Sequence, residues 1–319
     1  MTKRCPITYA PLNSDEIIYS KKGLALLSRN LTTLEDFPYS QEEQIMQART
    51  IAAKMSIQGV QPKLSASLDI HNHTFKITDR GGTFIIKPQN YMWPHLPENE
   101  DLTMRLARTI GLNVPLHGLL RCKDGSWSYF IRRFDRPNLK SPLKSKLPVE
   151  DFAQLSGATR HTKYDSTMEK VVKIIDQFCT FPALEKEKLF KLTVFNYLVG
   201  NEDMHLKNYS LITIDGQTSL SPCYDLLNTT IAMGKQASEE IALPLNGKKN
   251  KLNKSDFLDY FALNRLGINS NIATMILNDF YRQQESWNTL ISNSFLPQNF
   301  ISDYQNLLKH RSLVFFLNS

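Results

Sequence analysis

No apolar run in this 319-residue chain approaches the roughly 20 residues that a bilayer-spanning helix needs; the longest, Phe195–Gly200 and Ser312–Leu317, stop far short. A secretory signal is also missing at the N-terminus: Lys3 and Arg4 are basic, but no apolar stretch follows them, so a cytoplasmic protein is expected. Cysteine is scarce. Cys5, Cys122, Cys179 and Cys223 lie far apart with no Cys-x-x-Cys, which argues against a disulfide framework and against a thiolate zinc site. There is no internal repeat, no Gly-x-Gly-x-x-Gly and no Gly-x-x-x-x-Gly-Lys-Ser/Thr. The net charge of +7 favours an acidic partner or a polyphosphate ligand but is modest for a nucleic-acid binder. With 41% hydrophobic and 22% charged residues the chain folds, and its length fits two domains or one two-lobed unit.

The hydrophobic pattern changes period along the chain. Residues up to about Met55 read as helical pieces, with Ser40-Gln41-Glu42-Glu43 a capped start for a helix reaching Met55. From Lys63 the period is two: Leu64/Ala66/Leu68, Phe75/Ile77 and Phe84/Ile86 predict antiparallel strands separated by turns at Asn72 and Gly81-Gly82. Glu98–Ile110 reads as one amphipathic helix closed by Gly111. Val114–Arg121 and Trp127–Phe134 predict a hairpin across Lys123-Asp124-Gly125. Asp135–Pro148, rich in proline and lysine, is expected as a linker. Beyond it the chain turns helical over Val149–Leu155, Thr167–Phe178, Leu184–Gly200, Lys254–Leu266, Asn271–Ser286 and Gln298–His310, with a short hairpin at Tyr209–Ile214 and Thr218–Leu220 and a flexible loop at Leu245–Lys254.

The densest polar stretch is Asn201–Asn208, at the end of an apolar helix and before a strand. Asp203 and Asn208 are five apart, the spacing that kinase catalytic loops use to aim a carboxylate at a hydroxyl while a carboxamide oxygen reaches Mg²⁺. Asp225 follows the predicted hairpin, where a second Mg²⁺ ligand of such a site belongs, and His205 and Lys207 add positive charge. Singly, Asp203 and Asn208 could be turn caps, and His205 a hydrogen-bonded surface residue. Lys87 closes a strand before Pro88, where a nucleotide phosphate needs a fixed cation; Glu100, or nearly as plausibly Glu98, is its candidate partner. A strand-end lysine that merely reaches into water is the plain alternative. Ser56–Lys63 could cover phosphates with backbone N–H groups, although its one glycine equally suits an ordinary turn.

In combination these stretches resemble the HipA family of bacterial serine/threonine kinases, toxins of toxin–antitoxin systems with a kinase-like two-lobed fold shared with phosphoinositide kinases. The resemblance rests on Ser56–Ser65, Phe84–Pro88, Asn99-Glu100, Met104–Ala107, Arg133–Arg136, Glu150–Phe152, Asn196–Asn208 and Leu220–Asp225. It implies an α+β kinase-like fold with a mixed N-lobe at 1–135 and a mainly helical C-lobe at 136–319. It also implies ATP and Mg²⁺ as cofactors, Asp203 as catalytic base, Asn208 and Asp225 as metal ligands and Lys87 on the ATP phosphates. Gln58, Gly59, Val60, Gln61, Pro62 and Lys63 would form the phosphate loop, and Arg132, Arg133 and Phe134 the hinge that meets adenine. His205, Lys207, Asn208, Tyr224 and Asp225 would complete the nucleotide site. Ser56 matches the family's regulatory autophosphorylation position, with Ser65 a neighbouring candidate; phosphate there adds about −1.5 to −2 charge and would repel ATP.

Only some 55 residues precede the loop, where full-length members carry a further subdomain; this resembles the short HipT type, whose partners are a HipS-like protein and a DNA-binding HipB-like protein. Gln58 and Pro62 depart from other members. The implied activity is transfer of the ATP γ-phosphate to a serine of an aminoacyl-tRNA synthetase, the tryptophanyl enzyme for HipT-type members, which halts translation. DNA would be met only through the repressor, and no membrane is involved. Two rival readings are a small-molecule kinase on the same fold and a kinase-like protein that bridges a repressor on DNA.

Overall fold

The computed structural model describes residues 3–54, 62–136, 146–159 and 162–316. The chain forms two compact units, one of Met1–Leu102, Pro115–Phe134 and Asn293–Leu296, the other of Thr103–Val114, Asp135–Ser292 and Pro297–Ser319. Each unit is thus assembled from separated stretches of sequence.

In the first unit, α1 (Lys21–Leu27) starts at Ser20, whose hydroxyl accepts the Gly23 N–H at 3.1 Å. The expected cap of α2 (Gln41–Lys54) is present as a reciprocal pair. Ser40 Oγ accepts the Glu43 N–H at 3.2 Å and Glu43 Oε2 accepts the Ser40 N–H at 2.7 Å, an arrangement worth about 1 kcal/mol. A five-stranded sheet follows, built from β1 (Leu64–Asp69), β2 (Thr74–Ile77) and β3 (Phe84–Lys87), then, after α3 (Leu96–Thr109), β4 (His117–Arg121) and β5 (Trp127–Arg132). The order is β2-β1-β3-β5-β4 and every neighbouring pair is antiparallel. Period-two alternation buries Leu64, Ala66, Phe75, Phe84, Ile86 and Phe130 in one cluster, with Phe75 edge-on to Phe84 at 5.0 Å. Each buried ring contributes about 1.5–3 kcal/mol relative to exposure. This core fixes β3 at the centre of the sheet and with it the position of Lys87, which pairs in register with Tyr129.

The second unit is mainly helical. It contains β6 (Val149–Asp151), α4 (Phe152–Leu155), α5 (Met168–Phe178), α6 (Pro182–Val199), β7 (Ser210–Ile214), β8 (Gln217–Leu220), α7 (Thr229–Met233), a π-helix at Asp256–Arg265, α8 (Ser270–Ser292) and α9 (Gln298–Phe316). Along α6, Leu189, Phe190, Val194, Phe195, Leu198 and Val199 are all buried, the all-round apolar character of a central helix. Its neighbours include Trp287 of α8, edge-on to Phe195, and Phe315 of α9, edge-on to Tyr197. Among the described residues no helix is long and apolar enough to cross a membrane.

Three expectations change. Val149–Leu155 is not one helix: Val149–Asp151 pair with β7, and Asp151, in extended conformation, caps α4 by accepting the Gln154 N–H at 2.8 Å. The segment expected to be a flexible loop, Leu245–Lys254, is tied down, with Lys248 on Asp256 at 2.9 Å, Lys249 on Glu239 at 3.0 Å, and Leu245 and Leu252 buried. Finally, α8 and α9 run on to Ser292 and Phe316 because Trp287, Ile291 and Phe315 continue their buried faces. Of the linker, residues 137–145 lie outside the described residues.

Candidate active site

In the first unit, Lys87 is buried at the end of β3 and donates from Nζ to Glu100 Oε1 at 2.6 Å, with side chains 8% and 2% exposed. The ammonium also lies 5.6 Å from the centre of the Tyr129 ring. Taking two such charges out of water is costly, so a pair this buried persists only with close geometry. Glu98, the other candidate, is engaged elsewhere: it accepts from Gln89 Nε2 at 2.8 Å and faces His95 Nδ1 at 3.4 Å. The pair therefore holds a fixed cation on the central strand. Pro62 and Lys63 lead into β1, with Lys63 exposed. Ser56 and the rest of the expected phosphate loop, Gln58, Gly59, Val60 and Gln61, lie outside the described residues. At the end of β5, the Arg132 guanidinium donates to the main-chain carbonyls of Leu26 and Leu27 at 3.3 and 2.9 Å and lies over the Phe84 ring. The Arg133 N–H donates to Thr83, and both Arg133 and Phe134 are half-buried.

In the second unit, α6 stops at Gly200, which has φ +70°. An L side chain is strained there, and a Cβ would also meet Leu307 Cδ2 and Thr230 Oγ1, each at 2.6 Å. The turn carries the chain into Asn201–Asn208. Glu202 accepts from Thr230 Oγ1 at 2.5 Å and lies 3.8 Å from Arg311, whose guanidinium also donates to the Tyr197 carbonyl at 3.0 Å. These contacts clamp the start of the loop to α6, α7 and α9.

On that base, Asn208 Nδ2 donates to the main-chain carbonyl of Asp203 at 2.8 Å. The nitrogen of the Asn208 carboxamide is thereby engaged, and its oxygen is the candidate metal ligand. Lys207 pairs with Asp151 at 2.9 Å, and its carbonyl accepts from Tyr224 Oη at 2.9 Å. Tyr224 also shares a short hydrogen bond with Ser210 Oγ. Asp225 follows at φ +53°, a left-handed conformation that a non-glycine residue adopts only where its surroundings hold it. The tyrosine thus supports the loop's main chain, a role that the resemblance, which put it in the nucleotide site, does not anticipate.

His205 is buried, with Nε2 2.6 Å from Lys163 Nζ and 3.8 Å from Asp203 Oδ1. Burial drives its pKa below the ordinary value of 6.5, the Lys163 charge adds to this, and the charges of Asp203 and Asp225 oppose it. Through Tyr224, whose hydroxyl donates to the Lys207 carbonyl, the chain enters Asp225 from a residue tied to the loop. Tyr164 donates its hydroxyl to Asp203 Oδ1 and stands edge-on to His205 at 4.9 Å. Neither Lys163 nor Tyr164 was indicated by the sequence. They sit between α4 and α5 in a stretch without apolar period, 42 and 39 residues from the groups they touch, and no local signal marks them.

The described residues contain no ready-made cluster of three or more His, Cys, Asp or Glu for a metal. A carboxamide oxygen and a carboxylate still fit Mg²⁺, which takes one or two protein carboxylates and completes its shell with phosphates and water. The chemistry of these groups therefore includes a half-exposed carboxylate, Asp203, that already accepts from one hydroxyl, and two hard oxygens, of Asn208 and Asp225, that suit a magnesium ion.

Known proteins resemble the chain in sequence and in fold. The family model described as the HipA-like C-terminal domain matches residues 55–287. A Haemophilus influenzae protein named as a proposed kinase is 28% identical over 92% of this chain and 92% of its own length. The serine/threonine-protein kinase toxin HipA of Shewanella oneidensis is 28% identical over 60% of this chain, which spans about half of that toxin. A solved complex of HipA and HipB of that organism with operator DNA contains a chain that superposes with a TM-score of 0.67 at 23% identity, covering 89% of this chain and 72% of the other. That likeness shows a shared fold.

Proposed function

Because the chain belongs to the HipA-like C-terminal domain family, we propose that it is an ATP-dependent serine/threonine-protein kinase acting as the toxin of a toxin–antitoxin system. The observation that supports this reading is the hydrogen bond from Asn208 Nδ2 to the Asp203 carbonyl, which ties together the two residues that a kinase-type loop would use as base and metal ligand. Asp203 accepts the proton of a serine hydroxyl as its oxygen forms a bond to the γ-phosphorus, the bond to the β,γ-bridging oxygen breaks, and ADP leaves. Lys87, held by Glu100, orients the phosphates. Asn208 and Asp225 would hold Mg²⁺, which would supply neutralisation of phosphate charge. Lys207 on Asp151 and Tyr224 on the Lys207 carbonyl keep the loop in register, so that most of the rate comes from positioning.

The remaining parts of the reading rest on the resemblance: Gln58–Lys63 as phosphate loop, Arg132–Phe134 against adenine, self-inactivation through phosphate on Ser56, and an aminoacyl-tRNA synthetase as substrate. A DNA-binding partner of the HipB kind is supported by the solved complex of the Shewanella protein. A HipS-like partner and a place among the short HipT type complete the proposal, with a cytoplasmic site of action.

The test is the intact mass and phosphopeptide map of the purified chain after incubation with ATP and Mg²⁺, beside Asp203→Asn. Added phosphate in the parent alone, on Ser56, supports both the kinase and its self-regulation. No added phosphate in unphosphorylated parent, and no transfer to a panel of bacterial synthetases, would overturn the reading in favour of a kinase-like binding protein. Transfer only to small-molecule acceptors would favour the small-molecule kinase.

A further inference from the structure

One oxygen of the Asp203 carboxylate, Oδ1, already accepts a hydrogen bond from a hydroxyl. Tyr164 places a hydroxyl on Asp203 Oδ1, the donor type and the partner that an acceptor serine needs. The contact is built from several sides. The Tyr164 ring stands edge-on to His205 at 4.9 Å, Lys163 Nζ lies over the Tyr164 ring 4.9 Å from its centre and reaches His205 Nε2 at 2.6 Å, and the Leu206 N–H donates to the Lys163 carbonyl at 3.3 Å. A turn closed by the Asp165 N–H on Thr162 and the Ser166 N–H on Tyr164 brings the segment to the loop. Tyr164 nonetheless remains 39% exposed, and the Asp203 side chain 44%, so the contact lies at the surface where a protein acceptor can reach it.

We propose that Tyr164 is a stand-in for the acceptor hydroxyl: it occupies the acceptor place on Asp203 in the unengaged protein, and a substrate must displace it. The inference rests on the kinase reading of Asp203. It makes Tyr164 a specificity residue, since an acceptor has to outcompete a tethered phenol for one carboxylate oxygen, and water, a weak competitor, is largely kept from using it. Burial and the neighbouring Asp203 charge both hold the phenol protonated, so it stays a donor throughout the neutral range. The stand-in role lies in this hydrogen bond alone and assigns no phosphate to Tyr164.

The experiment measures ADP formation from ATP and Mg²⁺, with water as acceptor, for the parent chain, Tyr164→Phe and Asp203→Asn. Phenylalanine keeps the ring against His205 and removes only the hydroxyl. Loss of one hydrogen bond to a charged group predicts a rise in kcat of roughly ten-fold or more, with KM for ATP unchanged because Tyr164 touches the acceptor side. A purely structural tyrosine would not raise kcat. Turnover by the parent with an unchanged or lower kcat in Tyr164→Phe would overturn the gate while leaving the kinase reading intact. No turnover by either would overturn the gate, and together with no phosphate added to the chain or to a protein acceptor it would overturn the kinase reading as well; turnover that persists in Asp203→Asn would overturn both.

Discussion

Replacing Gly200 by alanine tests whether the turn that ends α6 sets the catalytic loop. Two costs are separable. The backbone conformation, φ +70°, penalises any L side chain by about 1–2 kcal/mol. The new methyl group also lands 2.6 Å from both Leu307 Cδ2 and Thr230 Oγ1 and 3.1 Å from Asn228 Oδ1, so α7, α9 or the loop must shift, and overpacking of this kind costs about 1–3 kcal/mol. Gly216, in the β7–β8 turn, is the control: it has φ +80° but no atom within 4 Å of its added Cβ, so Gly216→Ala pays the backbone cost alone. The expected losses are about 1–2 kcal/mol for Gly216→Ala and about 2–5 kcal/mol for Gly200→Ala. At roughly 2–4 °C per kcal/mol the two melting temperatures separate by several degrees, readable by calorimetry on the full chain. Because Thr230 and Asn201–Asp203 adjoin the crowded position, phosphoryl transfer should fall in Gly200→Ala and stay near the parent level in Gly216→Ala. Equal melting temperatures for the two variants would refute the argument that packing around Gly200, rather than its backbone alone, holds the loop.

Further outcomes follow from the same geometry. Lys87→Met leaves Glu100 with a buried charge and Glu100→Leu leaves Lys87 likewise, so each single change should cost about 3–5 kcal/mol while the double change costs less than their sum, as a urea-unfolding double-mutant cycle would show. The pKa of His205 is depressed when folded, so stability is full above about pH 6.5 and falls as pH drops below it, where the unfolded chain takes up a proton that the folded one resists. His205→Gln should flatten that slope in urea midpoints measured from about pH 7.5 to about pH 5. Asp256 is shifted in the same direction for another reason: burial raises its pKa, but hydrogen bonds from Asn246 and Lys248 outweigh this and hold it below 3.8, so Asp256→Asn should lower stability at neutral pH and lose its effect in strong acid. Asn208→Ala and Asp225→Asn should each weaken Mn²⁺ binding, read by paramagnetic relaxation of water in the presence of a non-hydrolysable ATP analogue, whereas Asp203→Asn should leave it nearly unchanged.

Much of the fold was open to a pattern reading. The period-two runs at Leu64–Leu68, Phe75–Ile77 and Phe84–Ile86 are the strands β1, β2 and β3, and the Ser40/Glu43 cap starts α2 as expected, because these signals act between residues a few positions apart. Misreadings fell where a distant partner decided the outcome. Val149–Asp151 has too few residues to show a period, and only pairing with β7, some 60 residues on, makes it a strand. Lys248 and Lys249 look like loop residues until Asp256 and Glu239 pair with them.

The candidate site divides in the same way. By itself the sequence determined the residue types and their order, Lys87, Asp203, Asn208 and Asp225, since an Asp and an Asn five apart on one loop are a local fact and carry the chemistry wherever the loop lies. It also limited the partner of Lys87 to two glutamates. Only the tertiary structure chose Glu100, sent Glu98 to Gln89 and His95, turned the Asn208 nitrogen toward the Asp203 carbonyl, and set Tyr164 and Lys163 beside the loop. The reason is physical: a side chain's hydrogen-bond partner is fixed by where packing places it, and packing joins residues that chain order leaves dozens of positions apart.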